Sequence, residues 1–363
     1  MTHYEERLEE DLTQIRAATA RIAEDVQDAL KESVHALLAG DADRAYGVVL
    51  GDHPINRAVR ASDRRCHAFV ARHLPSAGHL RFVSATLRLN IELERIGDYA
   101  VAIARESVQL SAPPSAAIAR DIELIAERTH RVLGEAVRSF LEGNAELARA
   151  TKKSAYDVEH IYENVFNDLL AEGERRERPL KDLFALLVVY NRIGRVADQA
   201  KNICEDTVFA VTGATKAPKV YKVLFVDEHN DCASQIAEQI GRKAFSNSGE
   251  FDSAAWDPAD KLSPTLLGFM ERRGHTLELA VASSMATTVH ELNDYHVVVS
   301  LNGEVREHID ELPFATIFLR WNVGDCPADM SDSDAEEKLD DIYRELAGRV
   351  EDLMETLRGE DAD

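Results

Sequence analysis

The stretch LNIELERIGDYAVAIARE (residues 89–106) is followed one hundred residues later by a matching stretch, VYNRIGRVADQAKNICED (189–206). In both, apolar residues recur every three or four positions, which is the pattern of a helix that packs on other helices. The matched apolar positions are Leu89, Leu93, Ile96, Ala100 and Ile103 in the first copy and Val189, Ile193, Val196, Ala200 and Ile203 in the second. Arg95 and Asp98 also match Arg195 and Asp198. We therefore predict two copies of one unit, each a three-helix bundle.

The sequence around this pair keeps a helical periodicity with few Gly or Pro residues. We predict repeat 1 over residues 1–112 and repeat 2 over residues 113–211. The predicted helices cover 3–39, 42–73, 77–109, 115–142, 145–173 and 180–210. Three prolines, Pro54, Pro75 and Pro179, are predicted at turns or in first helical turns, where a missing N–H costs nothing.

The pattern changes after TGATKAP (212–218), which we interpret as a linker. Short apolar runs then alternate with helical stretches: VYKVLFV (220–226), YHVVVSL (295–301) and FATIFLRW (314–321). This alternation predicts βα units and a parallel sheet. The domain is predicted to cover 219–363 and to end in an amphipathic helix, 332–358. Packing of that helix onto the sheet is preferred over binding to a partner.

The chain is strongly acidic, with a formal net charge of -23. This charge argues against non-specific binding to nucleic acid or to anionic lipid, although it also fits a salt-adapted organism. No apolar run approaches the ~20 residues that span a bilayer, and the charged N-terminus has no signal-peptide pattern. The four cysteines are scattered without the spacing of a disulfide framework, which fits a reduced compartment. We expect a cytoplasmic protein that meets membranes only through partners.

Glu94 and Asp98 lie four residues apart, so both project from one face of the predicted helix. One interpretation is a site for a divalent or iron ion, built from oxygen ligands on facing helices. The other is a solvated acidic face with salt bridges to basic neighbours such as Arg88 and Arg95.

Residues 3–210 resemble the PhoU family through a D-x-x-I-N element, Asp52 to Asn56, and an L-E-R-I-G-D element, Leu93 to Asp98. The resemblance implies a metal cluster on each repeat, at Glu94 and Asp98 in the first. In the second repeat Gly194 replaces the glutamate. Asp198 remains there, and the site is either completed by neutral oxygens of nearby asparagines or absent.

The family resemblance also implies a function: a homodimeric cytoplasmic regulator that restrains phosphate uptake. Such a protein contacts a phosphate-transporter ATPase and a membrane sensor histidine kinase. A metal-storage or scaffold role with no link to phosphate is the alternative for the helical repeats.

The strand of the first α/β run leads into DEHNDCASQIAEQIGRKAF (227–245), and a strand, a tight loop and a helix start form a typical anion cradle. Residues 220–328 resemble the low-molecular-weight phosphatase and arsenate-reductase family, whose loop reads C-x-x-x-x-x-R-S. The fold implied is an α/β domain of low-molecular-weight phosphatase type. The loop positions that carry the comparison are Asp227, Asn230, Cys232, Ala233 and Ser234.

The same comparison predicts that the loop is not catalytic. Asp227 stands at the position of the nucleophilic cysteine and Ala233 at that of the arginine, so neither a thiolate nor a guanidinium is available. Acidic residues in the loop would also repel phosphate. We therefore expect a lobe that senses a ligand or docks a partner. Asp325 corresponds to the family's general acid and is either its relic or an N-cap for the last helix.

Two alternatives give the loop a chemical role. Cys232 lies near a helix N-terminus, where thiol pKa values fall, and it could serve an arsenate reductase or protein-tyrosine phosphatase with rearranged loop chemistry. Otherwise it is a small buried apolar residue. In the second alternative, Asp227, His229 and Asp231 bind a divalent cation.

Overall fold

The computed structural model of the protein divides the chain into two compact units, Met1–Lys216 and Ala217–Asp363. The residues it describes are 3–156, 161–175, 178–215, 219–262, 264–275, 281–285, 292–309, 312–313, 316–324, 326–327 and 332–359. Within these residues, no helix combines the length and the apolar character that crossing a bilayer requires.

The first unit is helical, as the periodicity predicts. Its helices are α1 (His3–Ala39), α2 (Ala42–His73), α3 (Ala77–Gln109), α4 (Ala116–Glu142), α5 (Ala145–Tyr156), α6 (Ile161–Glu174) and α7 (Leu180–Thr212). The predicted bounds agree to within two residues wherever the structure describes them, and the helix expected over 145–173 is described on either side of residues 157–160, as α5 and α6.

The repeated stretch forms the centre of this unit. All ten matched apolar positions, on α3 and α7, are buried in one hydrophobic core. The two equivalent helices pack against each other, so the repeats share a single core. Burial of this seam stabilises the unit by roughly 1.5–3 kcal/mol for each large aliphatic side chain.

Local signals account for several helix ends. Asp41 and Ser115 cap α2 and α4 by accepting hydrogen bonds from the N–H groups of Arg44 and Ile118, and Gly143 ends α4 in the left-handed conformation. The prediction for Pro54 is wrong, because this proline lies inside α2. The buried face of α2 continues on both sides of it and packs on α3, which outweighs the lost backbone hydrogen bond.

The second unit contains a four-stranded parallel sheet in the order β2-β1-β3-β4. Its elements are β1 (Tyr221–Asp227), α8 (Ala233–Ala244), β2 (Gly249–Ala255), α9 (Pro264–Arg272), β3 (Val297–Leu301), a 3-10 helix (Val305–Glu307), β4 (Ile317–Trp321) and α10 (Asp332–Arg358). Parallel strands place their carboxyl ends at one edge, so the segments after β1 and β4 come together there.

Both faces of the sheet are covered. On one face, Val223 and Phe225 of β1 pack with α8 and α10. On the other, Leu224 and Val226 pack with residues such as Val298 and Leu292. The apolar stripe of α10 is buried in the first of these clusters, as the preferred interpretation expected.

Candidate functional site

The loop between β1 and α8 is organised by Asp227. Its Oδ1 accepts a hydrogen bond from the Asn230 N–H at 2.6 Å, and its Oδ2 accepts one from the Ser234 N–H at 2.9 Å. Backbone N–H groups at such a helix start are the donors that bind an anion in a phosphate loop. Here a carboxylate belonging to the chain itself takes them.

Asn230 holds the rest of the loop together. It is fully buried and adopts the left-handed conformation, with φ 51, which asparagine tolerates better than most residues. Its amide donates to the Ser234 hydroxyl at 2.8 Å, and its Oδ1 accepts from Gln235 at 3.0 Å and from the Ser283 N–H at 2.9 Å. Through these hydrogen bonds Asn230 ties the loop to the start of α8 and to the segment at Ser283.

The electrostatics of the loop disfavour a second anion. Burial raises the pKa of Asp227, the hydrogen bonds from Ser234 and Asn230 act in the opposite direction, and the nearby charge of Asp231 raises the pKa further. An oxyanion would have to displace the Asp227 carboxylate from its N–H donors and then lie among acidic side chains.

The spacing of the four cysteines gave no sign of a disulfide, but two of them are paired. Cys232 and Cys326 form a disulfide, although 94 residues separate them in the sequence. Cys232 follows β1 and Cys326 follows β4, so the parallel topology brings them to one edge of the sheet. In this state Cys232 has no free thiol, and Ala233, buried at the start of α8, brings no charge to the loop.

A cavity of about 420 Å³ opens beside the loop. Its lining includes the acidic loop residues, the disulfide, Lys261 and Asn302. His229 contacts the Asp257 carbonyl through Nδ1 at 2.9 Å, and its side chain is exposed. Over the described part of the chain, no three His, Cys, Asp or Glu side chains are placed to hold a metal ion. Asp325 lies outside the described residues.

In the helical unit, the two sequence elements of repeat 1 meet. Asn56 of α2 donates to Asp52 Oδ2 at 2.7 Å, while Asp52 Oδ1 is buried and has no hydrogen-bond partner among the described residues. Burial raises the pKa of Asp98 on α3, and the charge of Asp52 raises it further. Asp52 Oδ1 lies against α3 at Gly97, 3.4 Å from where a Cβ of that residue would stand, which is an ordinary contact distance. Glu94 is half-buried one turn before Asp98.

The matching face of repeat 2 is different. Asp198 lies 3.4 Å from Arg195 and 3.5 Å from Lys201, so basic side chains on its own helix neutralise it. Gly194 provides no ligand. This arrangement contrasts with repeat 1, where acidic groups of two helices face each other.

Comparison with known proteins agrees with this duplication. Residues 19–107 and 117–207 each match the PhoU domain model. The helical unit belongs to the PhoU family. A curated PhoU homologue of Clostridium acetobutylicum, a phosphate-specific transport system accessory protein, is 24% identical over 206 residues, which are 56% of this chain and 94% of that protein.

Solved structures extend the comparison. The crystal structure of PhoU from Pseudomonas aeruginosa has a TM-score of 0.54 and 25% identity, and the match covers 57% of this chain and 99% of that one. An arsenate reductase in a phosphate-binding state matches with a TM-score of 0.32 and 23% identity, covering 38% of this chain and 98% of its own.

One cluster in the PhoU domains was missed from the sequence. Arg88 of α3 contacts Asp206 of α7 at 2.8 Å, and Glu92 lies nearby. Burial raises the pKa of Asp206 to about 6, while Arg88 opposes the rise. Burial likewise raises the pKa of Glu92, against a hydrogen bond with Asn202. The signal was a set of charged residues beside the apolar seam, but only the folded helices bring them together.

Proposed function

We propose that this protein is a cytoplasmic accessory regulator of phosphate transport. Its PhoU domains would restrain uptake by contacting a phosphate-transporter ATPase and a sensor histidine kinase, with the protein acting as a homodimer. The support is the family membership of both repeats and the transport role named for relatives such as the Clostridium acetobutylicum protein.

The α/β unit is proposed to be a sensing or docking lobe without catalytic activity. One observation carries this proposal: the Asp227 carboxylate holds the Asn230 and Ser234 N–H groups that would bind an oxyanion. A carboxylate whose two oxygens already accept these N–H groups is not free to attack phosphate, and it blocks the donors that would stabilise the transition state.

A divalent or iron ion on repeat 1 is part of the same proposal. Glu94 and Asp98 of α3 carry oxygen donors of the kind that such ions prefer, and the charge of Asp52 on α2 acts on Asp98. The buried and unpartnered Asp52 Oδ1 supports a cation here. For repeat 2 a site at Asp198 is proposed only as a weaker one, because Arg195 and Lys201 already neutralise that carboxylate.

The regulatory role is tested in cells that lack the chromosomal gene. The full chain should lower phosphate uptake at high external phosphate and should retain the transporter ATPase in a pull-down. Unchanged uptake together with no retained ATPase would refute the role.

The non-catalytic role of the α/β unit is tested with an aryl phosphate and the variant Cys232→Ala. Turnover that disappears in this variant would favour the phosphatase or arsenate-reductase alternative instead.

A further inference from the structure

The four cysteines fall into two classes. Cys66 and Cys204 are buried in the helical unit as free thiols, and burial raises the pKa of each to about 12. Such thiols remain protonated and unreactive near neutral pH. Cys232 and Cys326, in contrast, are bonded to each other at the edge of a cavity. Any thiol chemistry of this chain is therefore concentrated at one place.

The disulfide is accessible from that cavity. Cys232 is 5% exposed, whereas Cys326 is half-buried, and both line the cavity of about 420 Å³ beside the Asp227 loop. A cavity of this size admits a small thiol, or the reactive end of a protein dithiol, to the Cys326 side of the bond.

We propose that Cys232 and Cys326 form a redox centre that exchanges with a dithiol reductant. A thiolate of the reductant attacks Cys326 Sγ, the bond between Cys326 and Cys232 breaks, and Cys232 leaves as a thiolate. The second thiolate of the reductant then displaces Cys326 and closes the reductant's own disulfide. Two electrons pass to the protein, and its two thiolates take up the two protons that the reductant's thiols release.

The surroundings favour this direction of attack. Cys232 is the N-cap residue of α8, and a helix N-terminus stabilises a leaving thiolate. Lys261 adds a cation to the cavity lining, while Asp227, Glu228 and Asp231 act against the negative charge. The partly exposed Cys326 is the sulfur that an incoming thiolate can reach.

Reduction would free the loop from the segment after β4. The crosslink joins the start of α8, next to the Asp227 network, to a residue that follows β4. Breaking it therefore changes the shape of the cavity in which ligand sensing or docking is proposed. Disulfides in reduced compartments are mostly transient or redox-sensing. This argument rests on the proposed cytoplasmic location. The position of the disulfide at the cavity does not depend on that location.

The experiment uses the purified full chain and needs no transporter, so its failure is distinct from failure of the phosphate role. Protein isolated without reductant is alkylated after denaturation and mapped by mass spectrometry. We expect two alkylated cysteines, Cys66 and Cys204, since the other pair is bonded. Under native conditions, dithiothreitol should add Cys232 and Cys326 together, and oxidised dithiothreitol should reverse the change.

Two readouts accompany the mapping. The fluorescence of Trp321, in the strand just before Cys326, should change on reduction and recover on reoxidation. Cys66→Ser should leave the redox equilibrium unchanged, whereas Cys326→Ser should abolish it and hold the fluorescence near that of the reduced protein. Finding all four thiols free without reductant would overturn the proposal. A disulfide that dithiothreitol reduces only after unfolding would also overturn it, since an inert crosslink is not a redox centre.

Discussion

Replacement of Asp227 by alanine tests the central feature of the α/β unit. The substitution removes the acceptor of two backbone N–H groups, those of Asn230 and Ser234. A hydrogen bond to a charged acceptor contributes roughly 1.5–3 kcal/mol, so two of them contribute about 3–6 kcal/mol. Removing the carboxylate also removes the desolvation cost of burying its charge, the same cost that raises its pKa, and this offsets part of the loss. We therefore expect a net loss of about 2–3 kcal/mol in the free energy of unfolding.

The conservative variant refines the test. Asp227→Asn keeps one acceptor oxygen but turns an NH₂ group towards the second N–H donor, so we expect it to lose about half as much stability. Asp257→Asn is the matched control, because the Asp257 side chain is an exposed carboxylate in the segment that follows β2. It should change the free energy of unfolding by less than about 0.5 kcal/mol.

The assay follows from where the tryptophans lie. The chain has two, Trp256 and Trp321, and both belong to the α/β unit. Urea unfolding of the full, oxidised chain followed by tryptophan fluorescence therefore reports on this unit, while circular dichroism at 222 nm is dominated by the helices. If Asp227→Ala unfolds within about 0.5 kcal/mol of the control, the carboxylate does not hold the loop as described.

Three further predictions concern the helical unit. Leu93→Ala, at a fully buried position, should cost about 3 kcal/mol in urea unfolding followed by circular dichroism, whereas Ile91→Ala, at a 49% exposed one, should cost well under 1 kcal/mol; equal losses would contradict the assigned core. Because burial raises the folded-state pKa of Asp206 from 3.8 to about 6, the stability that protonated Asp206 contributes is lost as pH rises from about 4 to 6. Asp206→Asn should remove at most roughly 3 kcal/mol of that dependence, and urea midpoints measured across this range with and without the substitution check it. Glu94→Gln combined with Asp98→Asn should lower the metal content of the purified protein by elemental analysis, and unchanged content would remove the proposed site.

The helical unit was predictable because its signal is local and repeated. The apolar spacing of Leu89, Leu93 and Ile96 predicts both a helix and its buried face. The same spacing recurs in the second repeat. Strand β2 was missed because its sequence, GEFDSAA, contains no β-branched residue and is recognisable only from its pairing with β1.

The loop site was predictable in composition but not in geometry. From the sequence we expected Asp227 to stand at a nucleophile position and acidic residues to repel phosphate, but not that the Asp227 carboxylate would accept the loop N–H groups itself. The bond between Cys232 and Cys326 depends on the parallel sheet, in which the segments after β1 and β4 reach the same edge although β3 lies between the two strands. Ninety-four residues of intervening chain give no local signal for such a contact.

The mutual packing of α3 and α7 gives the buried seam and the outward faces of the two halves unequal freedom to change. Along the seam, each copy packs against the other. A substitution in one copy must therefore be compensated in the other if the shared core is to stay filled. Residues on the outward faces are not under this packing constraint. That asymmetry explains how glutamate in one half and glycine in the other, at positions 94 and 194, coexist in a single molecule whose centre keeps its symmetry. A fused duplication thus allows the outward face of one repeat to change while the other repeat continues to support the shared core.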